Sequence, residues 1–235
     1  MKKTQLLFNK LKEIAVLENV ENAFYNSGME NIFDYLDYGF FPLGKGILSK
    51  EHKSIQDIQE NHVMVLGNDF GTKDYLIKQC PDRSEKQSNP TIKNLTTLLN
   101  LDLNNTFFTN INLGVRYEGT NIKRAKDLTE EYQKICFDFF VNQLNIINPK
   151  TIICLGHDVR KNLCLNSNLF NKWNKKSISI KQLYNSESKD FQLQIDDNLL
   201  GKRTFILVPH PCDLRNFNSF FVDIINNELD KTSIN

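Results

Sequence analysis

Four short apolar runs in this chain each end in residues equipped for chemistry. The first closes in VMVLGNDFG, where Gly67 and Gly71 bracket Asn68 and Asp69. Two glycines permit a tight turn with backbone N–H groups turned outward, and the carboxylate would hang over whatever those groups bind. Gly, Asn and Asp are also the commonest residues of an ordinary strand-to-loop turn. The second run closes in FFTNINLGVR. The Asn110 amide can donate and accept at once, as reading a base edge requires, and it could equally satisfy loop backbone. The third, CLGHDVR, opens a helix at Gly156 and His157 whose N-terminus could meet an anion, with His157 otherwise a capping or surface residue. The fourth, VPHPCDLRN, holds His210 between Pro209 and Pro211. Prolines stiffen the backbone on both sides, which suits an imidazole that must stay aligned.

The runs themselves, His62–Gly67, Thr106–Ile111, Thr151–Leu155 and Thr204–Val208, are nearly continuous in apolar residues, as strands buried on both faces should be. Between and around them lie segments of helical period. Residues 4–18 carry Leu6, Leu7, Leu11, Ile14 and Leu17 on one side. Residues 127–148 carry Leu128, Tyr132, Ile135, Phe139, Leu144 and Ile147, mostly at steps of three and four, and Pro149 ends that helix. Residues 217–229 repeat the pattern, and shorter helices are expected over Thr91–Leu101 and Asp158–Leu165. Alternating strands and helices predict a three-layer α/β/α sandwich with a central, mainly parallel four-stranded sheet. Ligands bind such sheets beyond the carboxyl ends of the strands, where the four candidate sites fall. The polar segment Lys73–Asn89 reads as a long loop.

Composition narrows the class. The chain has 235 residues, 40% hydrophobic and 24% charged, which suits one large folded domain and argues against disorder. No apolar run reaches the roughly 20 residues that span a bilayer. Asn9, Lys10, Lys12 and Glu13 interrupt the opening apolar stretch, so a signal peptide is not expected and a cytoplasmic location is. Five cysteines without a C-x-x-C pair suggest neither a disulfide framework nor a zinc or iron–sulfur site. Net charge is +1, yet residues 150–216 hold 11 Lys and Arg against 6 Asp and Glu. A basic stretch of that kind could collect phosphates, and a solvated surface can also carry it by chance.

In order, LGNDFG, FFTNINLGVR, PKTIICLG and HPCDLRN resemble the motifs of the uracil-DNA glycosylase superfamily over about residues 60–230. The family's first motif is G-Q-D-P-Y-H, with G-x-N-P-G and G-E-x-P-G in other branches. GNDFG keeps the glycine and, at Asp69, the carboxylate that in the first branch serves the hydrolytic water. Asn110 falls on the base-reading asparagine of L-L-L-N-x-x-L-T-V-R, with Leu113, Val115 and Arg116 in register. HPCDLR matches H-P-S-P-L-S, which puts His210 on the catalytic histidine and Leu214 on the leucine that wedges into the base stack.

What the resemblance implies is a glycosylase-like domain over residues 61–235, with residues 1–60 an N-terminal helical extension packed on the core. It implies catalysis by Asp69 and His210, a base pocket of Asn68, Asn110, Phe70, Gly71 and Tyr75, and DNA contacts from Leu214, Arg215, Cys212, Gly156 and His157. The expected activity is hydrolysis of the N-glycosidic bond of uracil, or a related deaminated or modified base, in DNA. The expected partner is DNA and the expected state a monomer, with no metal, cofactor or membrane required. Alternatives are a glycosylase for a different modified base, or a catalytically weak nucleic-acid- or nucleotide-binding member. Departures from the family pattern are specific. Phe70 stands for the motif proline, and Gly71 for the tyrosine that shuts the first branch's pocket against a thymine methyl, a position that resembles the glycine of the mismatch-specific and single-strand-selective branches. Cys212 stands for a phosphate-contacting serine, and Asp213 adds negative charge there. The cysteines of the iron–sulfur branches are missing.

Overall fold

All five residues of Thr151–Leu155 are buried, so this strand is covered on both faces and lies inside a sheet. The computed structural model describes residues 3–31, 33, 63–74, 90–99, 101, 106–118, 125–174, 179–184, 189–211 and 219–233. Among these the strands are β1 (Met29–Asn31), β2 (Val63–Gly67), β3 (Thr106–Asn110), β4 (Gly114–Arg116), β5 (Thr151–Leu155), β6 (Gln192–Asp197) and β7 (Gly201–Val208). The helices are α1 (Lys3–Ala15), α2 (Val20–Asn26), α3 (Pro90–Leu99), α4 (Glu130–Ile147), α5 (Gly156–Asn166), α6 (Ile180–Tyr184) and α7 (Ser219–Ser233).

The main sheet has the order β3-β2-β5-β7-β6. β3, β2, β5 and β7 run parallel, in register from Val63↔Thr106 and Val63↔Thr151 to Thr151↔Thr204. These are the four strands expected from the apolar runs. The sheet nevertheless has five strands, not four, because β6 adds an antiparallel edge to β7. Its sequence QLQIDD buries Leu193 and Ile195 while Gln194 and Asp196 face solvent, the alternation of a half-covered edge strand rather than of a buried one.

Right-handed crossovers assign the helices to faces. The chain steps from β2 to β3 in one direction, then from β3 past β2 to β5 and on to β7 in the other. That puts α3 on one face and α4 and α5 on the opposite one, consistent with an α/β sandwich. The packing agrees, since α1, α2 and α5 lie against α4 and α7 lies against α3.

α4 is specified locally at both ends. The Thr129 side chain accepts from the Tyr132 N–H at 3.3 Å, Glu130 and Glu131 sit in the first turn, and Asn148 closes the helix in a left-handed conformation at φ 55°. Its buried face carries Tyr132, Cys136, Phe139, Phe140, Leu144 and Ile147. Two of these hold the stretch after β3. Gly114 N–H donates to Tyr132 Oη at 2.8 Å and Leu113 N–H to Cys136 Sγ at 3.3 Å.

The N-terminal segment is woven into the same core. Phe24 meets Tyr132 edge-on at 4.8 Å between ring centres, and Ser27 Oγ accepts from the Thr129 N–H at 3.0 Å. Beyond the two helices, this segment supplies a strand, since β1 pairs antiparallel with β4. One hydrophobic cluster runs from Leu7 to Leu229. The expected division near residue 60 falls outside the described residues, as does most of Lys73–Asn89. Among the described residues, no helix is long and apolar enough to cross a membrane.

Candidate active site

β2 leads to α3 on one face of the sheet, and β5 runs directly into α5 on the other. Parallel sheets bind ligands in the crevice at such a switch, beyond the strand ends. Four strand ends lie along that edge, and hydrogen bonds link side chains that follow β2, β3 and β5.

Asp69 follows β2. Its Oδ1 accepts from the Gly71 N–H at 2.8 Å and from Arg116 Nε at 3.4 Å, and its Oδ2 accepts from Asn68 Nδ2 at 3.0 Å. The side chains of Arg116 and Asp69 are only 15% and 7% exposed, so little water screens this ion pair. Gly71 has φ 83°, a left-handed backbone that a tyrosine would adopt only under strain. Glycine at position 71 therefore has a backbone reason of its own.

Asn68 is oriented by two buried asparagines. Its Oδ1 accepts from Asn112 Nδ2 at 3.2 Å and Asn162 Nδ2 at 3.4 Å, which leaves its own Nδ2 facing Asp69. Asn112 and Asn162 are each 1% exposed. The backbone joins the two strand ends as well, with Ile111 N–H on Gly67 O at 2.9 Å and Asn112 N–H on Asn68 O at 3.0 Å.

Asn110 ends β3 opposite Gly67. A Cβ at Gly67 would overlap Asn110 Oδ1, so the carboxamide lies where a side chain at Gly67 would stand. The Asn110 side chain is partly open and makes no hydrogen bond to another described residue.

His210 follows β7 and packs over the first residue of α5. Gly156 has φ 81°, and a Cβ there would come within 3.3 Å of His210 Cβ. More than a third of His210 stays open to solvent, yet burial of the rest lowers its pKa below the ordinary 6.5. The negative charges of Asp69 and Asp158 pull in the opposite direction without overcoming it. The imidazole is therefore neutral near pH 7 and lies within the field of Asp69.

Of the residues singled out from the sequence, Asp69, Asn68, Asn110, Gly71, Gly156 and His210 are brought to this crevice. Phe70 is buried at 5% exposure in the hydrophobic cluster, and His157 is exposed on the first turn of α5. Tyr75, Cys212, Leu214 and Arg215 lie outside the described residues. Sequence reasoning missed the asparagine pair Asn112 and Asn162, and Arg116 as the partner of Asp69. The register of Arg116 with the family's L-T-V-R was a signal for it. For the asparagines, scattered among 30 in the chain, there was none. Among the described residues, no three His, Cys, Asp or Glu side chains gather as a metal site would need.

No protein-family model matches this chain, and no curated protein matches it.

Proposed function

We propose that this chain is a DNA glycosylase that hydrolyses the N-glycosidic bond of uracil or a related deaminated or modified base. What supports this is that Asp69, Asn110 and His210, one carboxylate, one open amide and one neutral imidazole, stand at the carboxyl ends of β2, β3 and β7 of one parallel sheet, with the charge of Asp69 acting on His210. Breaking the bond builds positive charge on the sugar and negative charge on the leaving base. A carboxylate stabilises the first and orients water. A neutral imidazole can donate to the pyrimidine O2 as charge grows there, a preorganised contact worth about 3–4 kcal/mol. Asn110 selects the base through its Watson–Crick edge, which requires the nucleotide to leave the stack at a cost of a few kcal/mol. Gly71, at the position of the tyrosine that excludes a thymine methyl in the resembling motif, supports a substrate range wider than uracil.

The test is a panel of oligonucleotides carrying uracil, deaminated purines or modified pyrimidines, in single and double strands, incubated with protein and then alkali. Strand cleavage at one of these bases is expected, and its absence from every member would overturn the proposal. A second reading is a nucleic-acid- or nucleotide-binding member with weak catalysis. It is favoured by the three donors already on Asp69, which limit its capacity to hold a water. Oligonucleotide binding with no base released would select it.

Gly67→Ala checks the role of Asn110. The added methyl would displace the carboxamide, and base-edge contacts of this kind are worth about 1–3 kcal/mol. The expected result is a loss of about 10- to 100-fold in kcat/KM for the preferred base, with discrimination against ordinary pyrimidines weakened in parallel. Unchanged discrimination would remove Asn110 from base selection.

A further inference from the structure

We propose that Arg116 is a positioning residue for the Asp69 carboxylate, held in place by the N-terminal strand β1. The inference rests on the glycosylase reading of the site.

Two of the donors on Asp69 travel with its own loop, Gly71 N–H two residues on and Asn68 Nδ2 one residue back. Arg116 is the donor from a different element, 47 residues away on β4. It grips the loop twice. Its Nε meets Asp69 Oδ1 at 3.4 Å, and its backbone N–H donates to Gly71 O at 2.8 Å, beside a parallel bridge between Thr72 and Arg116. Carboxylate and supporting backbone are thus indexed to one residue.

The position of Arg116 is set from behind. Met29 of β1 pairs with Arg116, and Asn31 with Gly114. Gly114 leaves no spare room, since a Cβ there would stand 2.6 Å from Met29 Cβ and 2.7 Å from Tyr132 Oη. The N-terminal segment therefore reaches the site through three residues of ribbon. This gives it a part in catalysis without contact with substrate.

Field and position make opposite demands, which makes the inference testable. A guanidinium this close weakens the negative field that Asp69 directs at an oxocarbenium-like sugar. If field were its whole effect, removing Arg116 would speed the reaction. If it positions the carboxylate, removal slows the reaction, because small misplacements of a reacting group are costly.

The experiment measures single-turnover base release, oligonucleotide binding and thermal melting for Arg116→Gln and Arg116→Lys, in wild-type and Asp69→Asn backgrounds. Arg116→Gln is expected to slow release about 10- to 100-fold with binding little changed, and Arg116→Lys to restore part of the rate. In the Asp69→Asn background the same substitution should cost little more, because the catalytic carboxylate that Arg116 positions has gone. A rate at or above wild type, a loss confined to binding, or an equal loss in both backgrounds would overturn the proposal. Amide exchange supplies a readout independent of turnover. The Gly71 N–H should exchange faster in Arg116→Gln, and unchanged protection there would refute the positional role. Wild-type protein that releases no base, with Gly71 exchange still responding, would instead count against the glycosylase reading alone.

Discussion

Asp69→Asn is expected to slow base release by about 10²- to 10⁴-fold, the range for loss of a positioned acid–base group. The substitution is nearly isosteric and Gly71 N–H can still donate to the remaining oxygen, but the new amide nitrogen faces Asn68 Nδ2, so that hydrogen bond is lost. What disappears is the charge that balances a cationic sugar and the acceptor that orients water. The charge that attracts Arg116 disappears with it. Because both partners are mostly shielded from solvent, some stability should be lost as well, more than for a surface pair. Melting must therefore be followed alongside rate, and the comparison made at a temperature where both proteins are folded. Release at the wild-type rate from folded Asp69→Asn would end the assignment of this carboxylate to catalysis.

His210→Ala should cost about 10²- to 10³-fold in kcat, as for loss of one preorganised donor to a developing anion. Its pH behaviour identifies the group. Burial holds the pKa below 6.5, so the neutral donor persists on acidification until the pH passes below the ordinary histidine value. The acid limb of the wild-type rate profile should therefore have its midpoint under 6.5. Asp158→Asn removes a charge that raises that pKa and should carry the limb lower still. Stability follows the same sign. A folded-state pKa below the unfolded one means that the unfolded chain binds the proton more readily. The neutral-His210 contribution is thus complete above the unfolded value and is lost as pH falls through the folded one. His210→Ala should flatten the acid side of the stability profile. An acid limb at or above 6.5, unmoved by Asp158→Asn, would contradict the assignment.

The parallel strands were legible because strands buried on both faces must be apolar throughout, and little else in the chain is. Thr151–Leu155 was read to the residue. β6 escaped because an edge strand buries one face only, and QLQIDD is half polar. β1 and β4 escaped because three residues carry no period. Helix ends followed from local chemistry wherever a cap was present, as at Thr129 and Asn148.

At the site, sequence alone determined which chemical groups stand at the ends of the strands. Motif glycines, an asparagine after an apolar run and a proline-flanked histidine are local signals, written within a few residues of one another. Their order along the chain also carries the family resemblance, which remains a proposal. Tertiary structure alone decided how those groups are held. The donors that orient Asn68 and Asp69 come from Asn112, Asn162 and Arg116, which are 44, 94 and 47 residues away. Those contacts exist because the chain reverses direction across the sheet after β3, which puts β2 beside both β3 and β5. That reversal brings β3, β4 and α5 to one crevice, and it leaves no periodicity in the sequence to announce it.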